Sequence, residues 1–203
     1  MSKTKSFNFR KFFRLSVIVL FVFIASVIAL NTYVYGAKDS KDSNSNVITT
    51  EEVVNAQTEW AAGIVEIGKA YAENKDYAQI AKNLIDKLYA YDYGEGIVLF
   101  KPTKAADVPF RITKKSALSY FIDGNIKHDE DDGFAIHPWT KVVFNDDKIM
   151  YFHGDIAIAM GTYSFTDTKG DVTKVEYTFG YIKPPQGQLK IVLHHSSLPY
   201  KSN

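Results

Sequence analysis

The chain has no cysteine among its 203 residues. Disulfides and thiolate metal sites are thereby excluded. The absence fits any compartment, because a domain of this size does not need cross-links. An excess of charge of one sign is also missing. Twenty-four Lys and Arg stand against 23 Asp and Glu, a formal net charge of +1. Nothing in that balance argues for nucleic acid or another polyanion as a partner. There is no internal repeat and no His-x-His pair. The sequence is instead rich in aromatics, with 13 Tyr and 14 Phe, which suits a strand-rich fold.

The N-terminus reads as an address. Lys3, Lys5, Arg10, Lys11 and Arg14 precede an uncharged apolar run from Leu15 to Val34. That is a basic region followed by an apolar one, long enough to span a bilayer. A small-residue exit at Val34-Tyr35-Gly36-Ala37 allows cleavage after Gly36. Residues 1–37 are therefore expected to be a signal peptide or a retained membrane anchor. The domain that follows is expected outside the inner membrane, either periplasmic or anchored on its outer side. Residues 38–48, KDSKDSNSNVI, read as a flexible linker, and 49–203 as one folded domain.

In that domain, Thr49-Thr50-Glu51-Glu52 looks like a helix start, with an apolar stripe through Val53, Trp60, Ile64 and Ile67 to about Asn74. A second helix is predicted over 76–91. A short strand follows at 97–100 and a short helix at 114–121. The remainder alternates as strands at 139–145, 148–153, 155–166, 174–184 and 188–197. Turn signals separate them at Asp146-Asp147, Lys169-Gly170-Asp171 and Pro185-Gln186-Gly187. Gly161 and Gly180 inside strand patterns mark either bulges or close packing. Asp129-Glu130-Asp131-Asp132 lacks the calcium-loop pattern and reads as a solvated loop. Helices first and a meander last predict an α+β fold, a curved antiparallel sheet packed against N-terminal helices. Such a cone can hold a small ligand at its mouth.

The last strand ends His194-His195-Ser196-Ser197. Strict alternation puts His195 and Ser197 on the face of Ile191 and Leu193, and His194 and Ser196 on the other. The first pair is therefore expected in the pocket. The second pair is expected on the outer face of the sheet.

Several stretches, in order, carry a resemblance: LFKPT (99–103), PFR (109–111), ALSYF (117–121), GFAIHPW (133–139), AMGTYSF (159–165), KVEYTFGY (174–181) and LHHSSLPY (193–200). The layout resembles the nuclear transport factor 2-like cone fold, and the ending resembles the calcium/calmodulin-dependent kinase II association-domain family. More narrowly, the whole set is similar to the iota-class carbonic anhydrases. The resemblance implies a lyase that reversibly hydrates carbon dioxide to bicarbonate. It implies a pocket of small polar side chains in apolar surroundings, without a metal cofactor. By motif the candidate catalytic residues are Thr103, Tyr120, His195 and Ser197, with Thr103, Tyr120 and Ser197 also holding the substrate. Each has a plainer reading alone: a turn residue, a core tyrosine, a structural histidine, a satisfied strand-end hydroxyl.

Two alternatives stay open. One is a zinc or manganese enzyme, drawing on His137, His153, His194 and His195, although neighbours on a strand point apart. The other is a non-catalytic, exported ligand-binding or oligomerisation module of the same fold. The expected partners are carbon dioxide or bicarbonate and a second copy of the chain, assembled through the outer face of the sheet. A membrane enters only through the N-terminal segment, if it is uncleaved.

Overall fold

The computed structural model describes residues 47–123, 128–185 and 187–201. The expected leader, and the tether up to residue 46, lie outside the described residues. Ile48, counted with the tether on composition, is instead buried, and its N–H reaches the Gly154 carbonyl at 3.4 Å.

Helix α1 spans Thr50–Ala72. Thr49 caps it: its hydroxyl accepts the Glu52 N–H at 3.2 Å, and Glu52 Oε2 accepts the Thr49 N–H at 2.9 Å. This reciprocal box satisfies two donors that the first turn would leave unpaired. The chain leaves α1 where Asn74 turns left-handed (φ 52°). Helix α2 covers Tyr77–Leu88, with the Asp76 carboxylate accepting the Gln79 N–H at 3.0 Å. It is shorter than the sequence pattern suggested, and a 3-10 turn at Ala90–Asp92 takes the remainder. Strand β1 (Leu99–Lys101) and helix α3 (Lys114–Ile122) follow. The meander comprises β2 (Lys141–Phe144), β3 (Ile149–His153), β4 (Ile156–Thr166), β5 (Val172–Ile182) and β6 (Lys190–Ser197).

The strands form one sheet in the order β1-β6-β5-β4-β2, with β3 also paired to β4. It is mixed rather than wholly antiparallel, because β1 runs parallel to β6, with Phe100 opposite His194. A parallel neighbour needs a long crossover. Here helix α3 and the meander supply it. The inner face packs on α1, and the buried Trp60 lies edge-on to Phe144, Tyr163, Phe165, Phe179 and His194.

One irregularity decides which side chains of β6 face the interior. Between β5 and β6 the pairing runs Phe179 with His194 and Gly180 with Leu193, then jumps to Tyr181 with Ile191. Val192 is the extra residue of a β-bulge. Ile191 and His194, three apart, are consequently both buried, so the alternation inverts beyond the bulge. Gly180 allows it: a β-carbon there would lie 3.0 Å from Leu193 Cβ, an atom fixed to the backbone. Gly161 keeps a regular pairing with Tyr177 and is instead a close-approach site. Gly180→Val is expected to destabilise the domain by about 1–3 kcal/mol, as overpacking at a fixed contact does. Equilibrium urea unfolding measures this.

Candidate active site

The bulge exchanges the two polar pairs. His194 and Ser196 are buried, at 2% and 3% exposure, whereas His195 is exposed and Ser197 only partly covered. The expectation that His195 and Ser197 face the pocket is therefore corrected. They lie on the outer face, where Ser197 Oγ donates to Glu176 Oε2 at 3.3 Å. Alternation was the right rule applied across a point where one inserted residue shifts its phase.

Inside, the His194 ring is sandwiched. It stacks on Phe179 (centroids 4.1 Å, interplanar angle 21°) and on Phe100 (4.6 Å, 11°), with Trp60 edge-on at 5.5 Å. Both stacking partners follow from register, since Phe179 and Phe100 are its neighbours on β5 and β1. Burial, with a smaller contribution from His195, pushes the imidazole pKa down to about 3. The ring is neutral at any ordinary pH.

Hydrogen-bond logic then fixes its tautomer. Trp60 Nε1–H, which can only donate, gives its proton to the Tyr89 hydroxyl at 2.9 Å. Tyr89 is wholly buried, and its oxygen lies 2.9 Å from His194 Nδ1. If Nδ1–H donated to Tyr89, the phenolic proton would have no acceptor in a dry interior. Tyr89 therefore donates to Nδ1, and the imidazole proton sits on Nε2. That nitrogen is buried and has no partner among the described residues. An unsatisfied buried donor costs about 1–3 kcal/mol, and a native fold keeps few of them without a use. It suits an acceptor oxygen brought by a ligand.

The hydroxyls lie beside it. Where β1 ends, Pro102 is buried and Thr103 bends inward, so that Thr103 Oγ1 donates to Ser196 Oγ at 2.9 Å. The Ser196 hydroxyl also eases the burial-driven rise in pKa of the Tyr163 phenol. Tyr120 enters from α3, stacked on Phe134 (5.5 Å, 15°) and edge-on to Phe100 (5.7 Å, 87°). Burial drives its pKa far above the usual phenol range, with the negative charges of Asp132 and Asp131 adding to this against the Lys104 backbone. Tyr120 thus remains a proton donor. The structure brings together Thr103, Tyr120, His194 and Ser196. It sets His195 and Ser197 apart from them.

Trp60, Tyr89 and Tyr163 were not read from the sequence as site residues. Trp60 carried only the signal of a core stripe. Tyr163, inside AMGTYSF, was available by motif. The acidic run is also not merely solvated: Asp131 is buried and paired with the fully buried Arg111. Among the described residues no three His, Asp or Glu converge as a metal set. His194 and His195 face opposite ways, and His137 instead meets Asp132 at 3.4 Å.

A depressed histidine pKa makes stability depend on pH in a defined direction. The unfolded chain protonates this imidazole near pH 6.5, while the folded chain does so only near 3. Within that window the unfolded state binds the extra proton, so stability falls as pH drops through it and levels off below. His194→Phe, which keeps the stacked shape, is expected to remove this component. Unfolding curves of the two proteins from pH 7 to 3 should diverge in slope.

The comparisons agree with the geometry. The family model described as "Metal-independent carbonic anhydrase" matches residues 51–198. A protein of that name from Nostoc sp. (strain PCC 7120) is 39% identical over 160 residues, covering 77% of each chain. A crystal structure of a cyanobacterial iota-carbonic anhydrase complexed with bicarbonate superposes with a TM-score of 0.73 at 36% identity, covering 78% of this chain and 96% of that one. A calcium/calmodulin-dependent protein kinase II association domain from Xanthomonas campestris shares the fold, with a TM-score of 0.53 at 24% identity over 76% of this chain and 91% of that one. With the helices, the mixed sheet and the buried His-Ser pair in place, the chain belongs to the metal-independent, iota-class carbonic anhydrase family.

Proposed function

We propose that this protein reversibly hydrates carbon dioxide to bicarbonate without a metal, at the pocket formed by Thr103, Tyr120, His194 and Ser196. The observation that carries the reading is the buried Nε2–H of His194, without a partner among the described residues, beside the Thr103–Ser196 hydroxyl pair.

The chemistry needs little more. Carbon dioxide is apolar, so aromatic surroundings cost it little desolvation. A water held by Ser196 attacks its carbon, one C=O π bond opens, and negative charge gathers on the oxygens. His194 Nε2–H and the Tyr120 hydroxyl donate to those oxygens. Ser196 receives its hydrogen bond from Thr103, so its own proton is free to turn toward Tyr163, the water or the bicarbonate. Nδ1 is occupied by Tyr89 and Nε2 already carries a proton, so His194 orients and stabilises but does not act as the base. The proton of the attacking water passes to solvent water on the Thr103 side, where the pocket wall is only partly covered. Dehydration of bicarbonate retraces these steps.

Export and self-assembly are part of the same proposal. The basic start and the apolar run to Val34 support export, as a cleaved signal or a retained anchor. That location is periplasmic or on the outer side of the inner membrane. Outward-facing Leu99, Ile149, Tyr151, Ile156, Ile158 and Met160 are exposed on one face of the sheet and support a homodimer there. Sedimentation of the purified protein and the mass of its mature N-terminus check assembly and processing.

Stopped-flow hydration by the chelator-treated protein is the direct test. Activity above buffer is expected, and its absence from folded protein refutes the proposal. Ser196→Ala and Tyr120→Phe should each lower kcat/KM by about 100- to 1,000-fold, the range for losing one positioned donor. His195→Ala, on the outer face, should stay within about twofold, as surface changes away from a site do.

A further inference from the structure

Thr103 begins the irregular segment between β1 and α3, which has no strand ladder to hold it. Backbone N–H groups in such a segment must find acceptors elsewhere. Three consecutive ones end on a single carboxylate. Glu130 Oε2 accepts Ala106 N–H at 2.8 Å and Asp107 N–H at 2.9 Å, and Oε1 accepts Val108 N–H at 3.0 Å. Oε1 also accepts Arg111 Nη2 at 3.2 Å.

Arg111 carries the connection inward. Its side chain is fully buried, and it donates through Nη2 to Asp131 Oδ1 at 2.5 Å and through Nε to Asp131 Oδ2 at 3.2 Å. Its Nη1 donates to the Val108 carbonyl. Its backbone N–H donates to the Phe100 carbonyl at 2.8 Å, which ties it to the strand stacked against His194. Asp131 Oδ2 in turn accepts Ser119 Oγ at 2.7 Å, and Ser119 immediately precedes Tyr120. Two adjacent carboxylates thus fasten both the segment that carries Thr103 and the helix that carries Tyr120.

We propose that Glu130 and Asp131, bridged by Arg111, are positioning residues for carbon dioxide hydration: they hold Thr103 and Tyr120 at the distances from Ser196 and His194 that the reaction needs. The proposal depends on the hydration reading above. Its physical basis is the short reach of hydroxyl catalysis. A hydroxyl displaced by 1 Å no longer donates along the right line, and such misplacement costs about 100-fold in rate. The Ala106 N–H, followed by those of Asp107 and Val108 and by Arg111, outweighs burial and holds the Glu130 carboxyl down to about 2. The carboxylate therefore stays charged throughout the working range. A guanidinium with no exposed surface also needs its partners, because a charge left unpaired in the interior is strongly unfavourable.

A clamp that only added stability would give the same contacts, so the test must separate the two roles. Glu130→Gln keeps the size of the side chain. It places an amide NH2 where donors converge, so one group of hydrogen bonds must be released. In the full-length protein, Glu130→Gln is expected to lower kcat/KM by about 10- to 100-fold. If it acts through Thr103, the same change in a Thr103→Ala background should cost less than about twofold, since coupled residues do not add. Hydrogen exchange at Ala106, Asp107 and Val108 should quicken in parallel.

Wild-type kcat/KM in Glu130→Gln overturns the proposal. Losses that simply multiply in the double variant overturn it as well, because Glu130 would then not act through Thr103. Should Glu130→Gln not fold, Glu130→Asp keeps the charge but shortens the reach, and the same double-variant cycle decides. An inactive wild-type protein overturns the functional reading and this proposal together, whereas an active one with an additive cycle overturns only the clamp.

Discussion

His194 is a polar ring in an aromatic box, and two constraints hold it there. The first is covalent: Val192 adds one residue to β6, so the strand presents Ile191 and His194 to the same interior. The second is the hydrogen-bond chain from Trp60 through Tyr89 to Nδ1. Without the bulge, His195 would point inward and His194 outward. Without the chain, the buried imidazole could carry its proton on either nitrogen. Together they set both the place and the polarity of the donor at Nε2. The stacking on Phe100 and Phe179 follows from register and fills the remaining space with apolar surface, which is what keeps the ring neutral.

This division explains what was legible in the sequence. Local chemistry was readable. Thr49 and Glu52 announced the start of α1, Asp76 turned out to be a cap, and the turn residues bounded the strands of the meander. The motif residues Thr103 and Tyr120 meet Ser196 and Phe100 in the folded chain. The choice within His-His-Ser-Ser was lost because a bulge is a relation between two strands. Gly180 hinted at it, but a glycine in a strand equally marks close packing, and Gly161 does just that. Tyr89 and Trp60 were invisible as site residues because they reach His194 across separations of 105 residues and more, and only the folded chain joins them. Asp131 was misread for a similar reason. A run of four acids looks solvated until a buried arginine 20 residues earlier claims one of them. An arginine set between the apolar residues Phe110 and Ile112 was the available sign.

The interior thus keeps charge and chemistry apart. Around His194 there are aromatic faces, hydroxyls and a neutral ring. The charged groups, Arg111 with Glu130 and Asp131, stand behind the segments that carry Thr103 and Tyr120. Of these, Asp131 also acts on the Tyr120 phenol. Burial is the main reason Tyr120 stays protonated, and the negative charge of Asp132 and Asp131 works in the same direction. A carboxylate pair nearer the pocket would repel bicarbonate. Held one layer back, it positions the hydroxyls, and Asp131 adds a little to the burial that keeps the phenol a donor.

Neutrality of this kind sets how the reaction must proceed. Hydration releases a proton, yet no side chain gathered in the pocket is a base near neutral pH. His194 is pushed down to about 3, and the Tyr120 and Tyr163 phenols are pushed far up. General-base assistance, worth about 100- to 10,000-fold where it operates, is therefore not available from these groups. What the pocket offers is orientation of one water and donors placed where the oxygens become negative. His194 and Ser196 move little as charge develops, because Tyr89 and Thr103 already hold them in place. A site of this design does not need a metal to make its nucleophile. It does need every hydroxyl at its station, and so the bulge, the Trp60–Tyr89 chain and the Arg111 clamp act on the same few ångströms.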